Sequence, residues 1–276
     1  MHLISEIGVN WDGDFELVKE MMQESANAGF RYVKFQAFEA ELVANHPQAS
    51  RILKSSISPD NVDKIDSISN DIGIEWFCTP MYENAISFLD PYVNLYKIRE
   101  YDGRILLTNN YTELFRKLLE TKKEIMISSE SSPQNCKFYD YEQIKWLYCV
   151  PKYPCNLDEI NFSLFKYFDG FSNHCPNISA PLKVIDLNSE ILEIHITSDK
   201  TTDFIDNNVS FDYSEMKKIA KNLGIWVIIG SVNIKEKKRI FNRSILIDNK
   251  GRIKGRYNKI HLFCSDIPCY SDCSFS

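Results

Sequence analysis

At 276 residues the chain is long enough for one large α/β domain, or for a domain of about 200 to 220 residues carrying an appendage. Acidic residues number 38 and basic residues 32, a formal charge of −6 with the signs interspersed, which excludes a broad cationic face for a nucleic-acid backbone. No run of about 18 apolar residues and no basic-then-apolar leader occurs, so no membrane span is expected and the protein reads as soluble and cytoplasmic.

Taken in chain order, short apolar runs predict strands at Leu3–Ile7, Tyr32–Gln36, Ile74–Cys78, Leu95–Ile98, Glu124–Ser128, Lys145–Cys149, Gly170–Ser172 and Ile191–Ile196. Amphipathic patterns between and after them predict helices at about 14–29, 58–72, 82–89, 110–122, 158–167, 177–188 and 212–221, the fifth connection being the least defined. Strand and helix alternating in this way point to an α/β protein, a parallel (β/α)8 TIM barrel over residues 1–220. After about residue 220 the rhythm changes. Ile225–Ile229, Ile240–Ile247 and Arg252–Phe263 are β-rich and joined by turn-like charged segments, so residues 221–276 read as a short β meander with an irregular, poorly packed tail.

In a TIM barrel chemistry gathers at the C-terminal ends of the strands. Glu6 and Asn10, Lys34 and Gln36, Thr79, Lys97, Ser128 and Ser129, Tyr153, Ser172 and His174, and His195 and Asp199 all fall there. His174 and His195 are 21 residues apart, which suits the ends of two successive strands with a helix between and brings two imidazoles to one rim. Neutral imidazoles suit manganese, zinc or iron, and two protein nitrogens leave positions open for substrate or water. Taken singly, Lys34 and Lys97 read as solvated rim residues. Taken with the histidines and the hydroxyls of Ser128, Ser129 and Ser172, they make a receptor for a phosphate plus a carboxylate. Glu6 lies opposite, placed to exchange a proton with a second substrate. The eight cysteines are scattered and read as reduced thiols; a zinc site among Cys264, Cys269 and Cys273 is a weak alternative.

The motifs Glu6-Ile7-Gly8-Val9-Asn10, Val33-Lys34-Phe35-Gln36, Cys78-Thr79-Pro80, Tyr96-Lys97-Ile98, Cys149 with Tyr153-Pro154, Gly170-Phe171-Ser172-Asn173-His174 and Glu193-Ile194-His195-Ile196-Thr197 resemble, in order, the N-acetylneuraminate (sialic acid) synthase family. The likeness runs from about residue 2 to about 218. It implies a (β/α)8 barrel that condenses phosphoenolpyruvate with an open-chain 2-acetamido sugar to give a nonulosonic acid of sialic, legionaminic or pseudaminic type and phosphate. The implied cofactor is a divalent metal, manganese first, with magnesium or cobalt as alternatives. By position, His174 and His195 match the metal ligands, and Glu6, Lys34 and Lys97 the catalytic residues. Gln36, Ser128, Tyr153, Ser172 and Asp206 match substrate-binding positions. A homodimer stays open.

Four positions and one segment depart from the family pattern: Trp11 and Tyr148 for frequent histidines, Asn173 for a frequent aspartate, Pro151 for a polar residue, and Arg99-Glu100-Tyr101-Asp102 for a small-residue turn ending in Glu. They suggest a subgroup acting on a different sugar, or altered activity, with Arg99 placed to take over anion contacts. The family's antifreeze-like C-terminal domain, which donates an arginine to the partner's sugar site, is not recognised here. Instead Ile225 to Ser231, Phe241 to Ser244 and Tyr257 to Phe263 resemble the nitrilase (carbon-nitrogen hydrolase) family over about 218–265, with Lys259 at that family's lysine. A fragment lacking the glutamate and the nucleophile in their places is not expected to hydrolyse amides. The alternative to a synthase is a non-catalytic barrel that retains metal or sugar-phosphate binding.

Overall fold

In the computed structural model, residues 1–222, 227–236, 239–247 and 253–258 are described. Eight parallel strands close into a barrel: β1 His2–Glu6, β2 Tyr32–Ala37, β3 Glu75–Pro80, β4 Leu95–Ile98, β5 Glu124–Ser129, β6 Ile144–Tyr148, β7 Gly170–Asn173 and β8 Ile191–His195. The TIM barrel expected from the sequence is therefore the observed fold. Each strand lies within two residues of its predicted bounds.

The helices are α1 Phe15–Asn27, α2 Ala40–Val43, α3 Ala49–Lys54, α4 Val62–Ile72, α5 Ala85–Leu89, α6 Glu100–Leu107, α7 Glu113–Glu120, α8 Ser179–Asp186 and α9 Tyr213–Asn222. Helix α1 begins where the Asp14 carboxylate accepts the Glu16 and Leu17 amides, and it turns Val18, Met21, Met22 and Ser25 onto the barrel. Three of the helices, α2, α3 and α6, were not expected. The helix expected at 158–167 is instead two 3-10 turns, Leu157–Glu159 and Phe162–Tyr167. Asn156 and Glu159 satisfy each other's backbone there in a capping box, which favours a short turn over a continuing helix.

Strand register fixes the site. Glu6 pairs with Lys34 on one side and with His195 on the other, closing the barrel between β2 and β8. Ser172 lies level with Glu193, and Gln36 with Thr79. Ser5 faces outward, its hydroxyl 3.8 Å from Met216 Sδ of α9, so strand alternation turns Glu6 inward. The same alternation puts Glu193 and His195 together on the inner face of β8.

The chain divides into two compact units, Met1–Leu223 and Gly224–Ser276. In the second, β9 Val227–Glu236, β10 Arg239–Ile247 and β11 Ile253–Asn258 form an antiparallel meander in the order β11-β10-β9, as the β-rich reading anticipated. Cys264, Cys269, Cys273 and Lys259 lie outside the described residues. The described cysteines, Cys78, Cys136, Cys149, Cys155 and Cys175, are buried free thiols. Among the described residues no helix is long and apolar enough to cross a membrane.

Candidate active site

At the C-terminal mouth of the barrel, a cavity of about 550 Å³ receives a side chain from every strand or the residue just after it. Glu6, Lys34, Gln36, Lys97, Ser128, Tyr153, Ser172, His174, His195 and Asp206, the residues singled out from the sequence, all line it. Asn10, Ser129 and Asp199, also at strand ends, do not. Asn10 instead orders the wall: its amide donates to Ile196 O and Ser210 Oγ, and its carbonyl accepts the Asp206 amide. Ser129 donates to Ser131 O, and Asp199 caps its own loop at Thr201.

The floor is a buried charge cluster. Lys34 Nζ stands 3.2 Å from Glu6 Oε2 and 3.3 Å from Glu193 Oε1, and Lys97 Nζ is 3.1 Å from the same Glu193 oxygen. Ser172 donates to Glu193 Oε1 at 2.7 Å, and Gln36 Nε2 donates to Glu6 Oε1 at 2.6 Å. Burial disfavours every charge in this cluster, and the contacts decide which ones survive. At Glu193 burial opposes ionisation, yet Lys34, Lys97 and the Ser172 hydroxyl outweigh it and hold the carboxyl below its ordinary range. Glu6 has less compensation, and burial pushes it up to about 7. Lys34, between two carboxylates, is held above its ordinary value despite burial. Lys97 is pulled down by burial, with the like charge of Lys34 adding to the effect and Glu193 opposing it.

Glu193 was not among the residues singled out from the sequence. Its signal was present: an acidic residue inside the apolar run Ile191-Leu192-Glu193-Ile194, two positions before His195 and so on the same face.

The imidazoles of His174 and His195 lie beside this cluster, with ring centroids 5.4 Å apart. His174 Nδ1 is 2.7 Å from Val150 O and His195 Nδ1 is 3.4 Å from Asn173 O, which assigns the proton to Nδ1 in both and turns each Nε2 lone pair toward the cavity. Burial keeps both rings neutral, pulling His174 down to about 4 and His195 well below its ordinary value. Tyr153 donates to His174 Nε2 at 2.8 Å. His195 Nε2 is buried without a hydrogen-bond partner, 3.9 Å from Asp206 Oδ2, and Ser128 Oγ is likewise an unpartnered buried hydroxyl. Two neutral imidazoles with inward lone pairs, one of them unpartnered, fit a divalent ion at an open site. Among the described residues no group of three or more His, Cys, Asp or Glu is placed to hold a metal ion, so these two nitrogens would need water or substrate to complete a coordination shell.

Gly8 lies against two carboxylates of the cavity lining, Glu6 and Asp206. Its φ is +54°, and a Cβ there would lie 3.0 Å from Glu6 Oε1 and 3.4 Å from Asp206 Oδ2. Asp206 itself is raised to about 6 by burial.

Of the departures from the family pattern, Pro151 lines the cavity and the others resolve locally. Trp11 is fully buried and donates to Gly8 O and Ser55 O, pinning the loop after β1 rather than reaching the cavity. Tyr148 packs among Phe165, Phe168 and Phe171, and its hydroxyl accepts the Asn161 amide. Asn173 closes on Cys175. The segment Arg99 to Asp102 is not a turn but the start of α6, where Arg99 pairs with Asp102 at 2.7 Å and Arg104 with Glu100 at 2.7 Å. Both arginines line the rim next to Lys97.

The sequence profile of the NeuB family matches residues 21–231, and that of the carbon-nitrogen hydrolase family matches residues 210–272. An N-acetylneuraminate-9-phosphate synthase of Mus musculus is 25% identical, covering 80% of this chain and 68% of its own. An N,N'-diacetyllegionaminic acid synthase of Legionella pneumophila is 24% identical over 80% of this chain and 70% of its own. The crystal structure of an N-acetylneuraminic acid synthetase from Leptospira borgpetersenii, in complex with citrate, superposes with a TM-score of 0.70 at 23% identity, covering 80% of this chain and 81% of that one.

Proposed function

The chain belongs to the NeuB family, and from that premise we propose that it condenses phosphoenolpyruvate with an open-chain 2-acetamido sugar, giving a nonulosonic acid and inorganic phosphate. One observation carries the reading: a single cavity holds Lys34 and Lys97 on its floor and two neutral imidazoles, His174 and His195, beside them. Relatives named as synthases of N-acetylneuraminate 9-phosphate and diacetyllegionaminic acid support the same reaction class.

In this reading the Lys34 and Lys97 ammoniums, with the Ser128 and Ser172 hydroxyls, take the carboxylate and phosphate of phosphoenolpyruvate. Glu193 is a positioning residue: its ionised carboxylate binds both lysines and Ser172, so the donors keep a fixed aim before substrate arrives. Gln36, Tyr153 and Asp206 hold the sugar. A divalent ion, manganese first with magnesium or cobalt as alternatives, would be held by His174 and His195 and would polarise the aldehyde.

The methylene carbon (C3) of phosphoenolpyruvate forms a bond to the aldehyde carbon, and the aldehyde oxygen takes a proton to become a hydroxyl. Water adds at C2, the phosphate-bearing carbon left as an oxocarbenium, and gives up a proton, and the tetrahedral adduct expels phosphate to leave a ketone at C2. Glu6, held near pH 7 by burial, can carry the proton that the new hydroxyl requires. The test is phosphate release from phosphoenolpyruvate by the purified protein with manganese and a panel of 2-acetamido sugars, repeated with chelator and with His174→Ala. Sugar-dependent release abolished in both controls supports the reading. No release from protein that is folded and binds manganese overturns it in favour of a binding-only barrel.

A further inference from the structure

The cavity has two unlike walls. On the β4 side, beyond Lys97, its rim carries Arg99 and Arg104. On the opposite side the loops after β1, β2 and β8, with α2 and α3, present Val9, Phe38, Leu42, Val43, Ile52 and Ile205. Val9, Val43 and Ile52 are buried and form a small apolar cluster distinct from the barrel core, with Phe38 and Ile205 packed against it.

This apolar wall rises from the same chain segments as the sugar-facing residues: Val9 follows Glu6 and Gly8, Phe38 follows Gln36, and Ile205 precedes Asp206. With phosphoenolpyruvate taken on the lysine and β4 side, the space left for the far end of a sugar whose reacting end meets Glu6 and the histidines is bounded by the apolar side. Among the described residues lining the cavity, the lysines and arginines are Lys34, Lys97, Arg99 and Arg104, all on the floor or the β4 rim; the apolar side has His46, whose Nδ1 accepts the Gln48 amide. Arg51, beside Ile52 in α3, does not line the cavity. It is engaged by Asp12 at 2.7 and 3.1 Å and by the Asp203 carbonyl at 2.5 Å.

We propose that the acceptor is an unphosphorylated 2-acetamido sugar whose end remote from the aldehyde carries apolar groups, a terminal methyl or a further acyl group. This rests on the condensation reading above. A terminal phosphate at that end would be desolvated against Val9, Phe38, Val43 and Ile52 without a cation to receive it, whereas a methyl group gains burial.

Three acceptors separate the alternatives in the manganese and phosphoenolpyruvate assay: N-acetylmannosamine, its 6-phosphate, and the 6-deoxy analogue carrying a second acetamido group. The expected order of kcat/KM is deoxy analogue first and phosphate last, with steps of about tenfold, the scale of one methyl or hydroxyl in an apolar site. Leu42→Lys adds a cation to the apolar side at a half-exposed residue, and it should narrow the gap to the phosphorylated acceptor by about tenfold with an unchanged thermal midpoint. Equal or better turnover of the phosphorylated sugar, or equal turnover of N-acetylmannosamine and the deoxy analogue, overturns the inference and leaves the condensation intact. Release with none of the three takes both down together.

Discussion

Glu193 is shared by two buried ammoniums, and its removal tests how the floor of the cavity is held together. Glu193→Gln keeps the shape and the Ser172 contact but leaves Lys34 and Lys97 buried about one carboxylate fewer, so a loss of about 3–5 kcal/mol in unfolding free energy is expected. A urea titration showing a change under about 1 kcal/mol would mean that the lysines find another counter-charge or lose a proton. Glu6 makes a pH prediction of opposite character. Its folded value, about 7, lies above its ordinary 4.5, so its contribution is fully present below about 4.5 and is lost as pH rises through 7. His174, pulled down to about 4, runs the other way, contributing above its ordinary 6.5 and losing that contribution as pH falls through 4. The two oppose each other in the wild type, and the difference between wild type and Glu6→Gln isolates the carboxyl. In chelator, the variant should gain stability relative to wild type between pH 4.5 and 7. Parallel stability curves across that window would show that Glu6 titrates normally.

At the scale of elements, the strands were legible because buried parallel strands are continuous apolar runs, and most of the polar residues at their ends enter the cavity. Glu193 was passed over because it lies inside such a run rather than at its end. Helix α6 was missed for a different reason. Arg99-Glu100-Tyr101-Asp102-Gly103 has the composition of a turn, and a glycine in mid-helix argues against helix on propensity alone. Packing overrides this, because a Cβ at Gly103 would stand 2.2 Å from Ser128 O, so glycine lets α6 lie directly on β5. Gly103→Ala should therefore destabilise by about 1–3 kcal/mol, although alanine is the better helix former, and should weaken phosphoenolpyruvate binding by displacing Ser128. Thermal unfolding that rises on the substitution would mean that propensity outweighs packing there. The apolar wall over α2 and α3 was also not legible. Those helices have four and six residues, too short for a helical period to register, and their cavity-facing residues come together only through the loops after β1 and β8.

At the scale of the whole molecule, the two family profiles overlap at residues 210–231, and α9 falls within the overlap. Sequence alone placed the change of character near residue 220 and gave the helix at 212–221 to the barrel. In the structure, α9 buries Met216, Ile219 and Ala220 in the barrel core, and the Ser5 hydroxyl of β1 meets Met216. Barrel closure needs only β1 and β8, which already pair over five residues, His2 with Ile191 through Glu6 with His195. The described members of the main core all precede residue 221. Residues 1–223 should therefore fold alone, with a single cooperative transition whose midpoint lies within a few degrees of the full chain's, and α9 should be indispensable to it. Ending the chain at residue 211 would strip Met216, Ile219 and Ala220 from the core, a loss of about 4–6 kcal/mol at about 1.5–3 kcal/mol per large apolar side chain, and should give a broad transition. If the 1–223 fragment melts as broadly as the shorter one, the barrel depends on the residues beyond 223, and the β-rich unit is part of its stability rather than an addition to it.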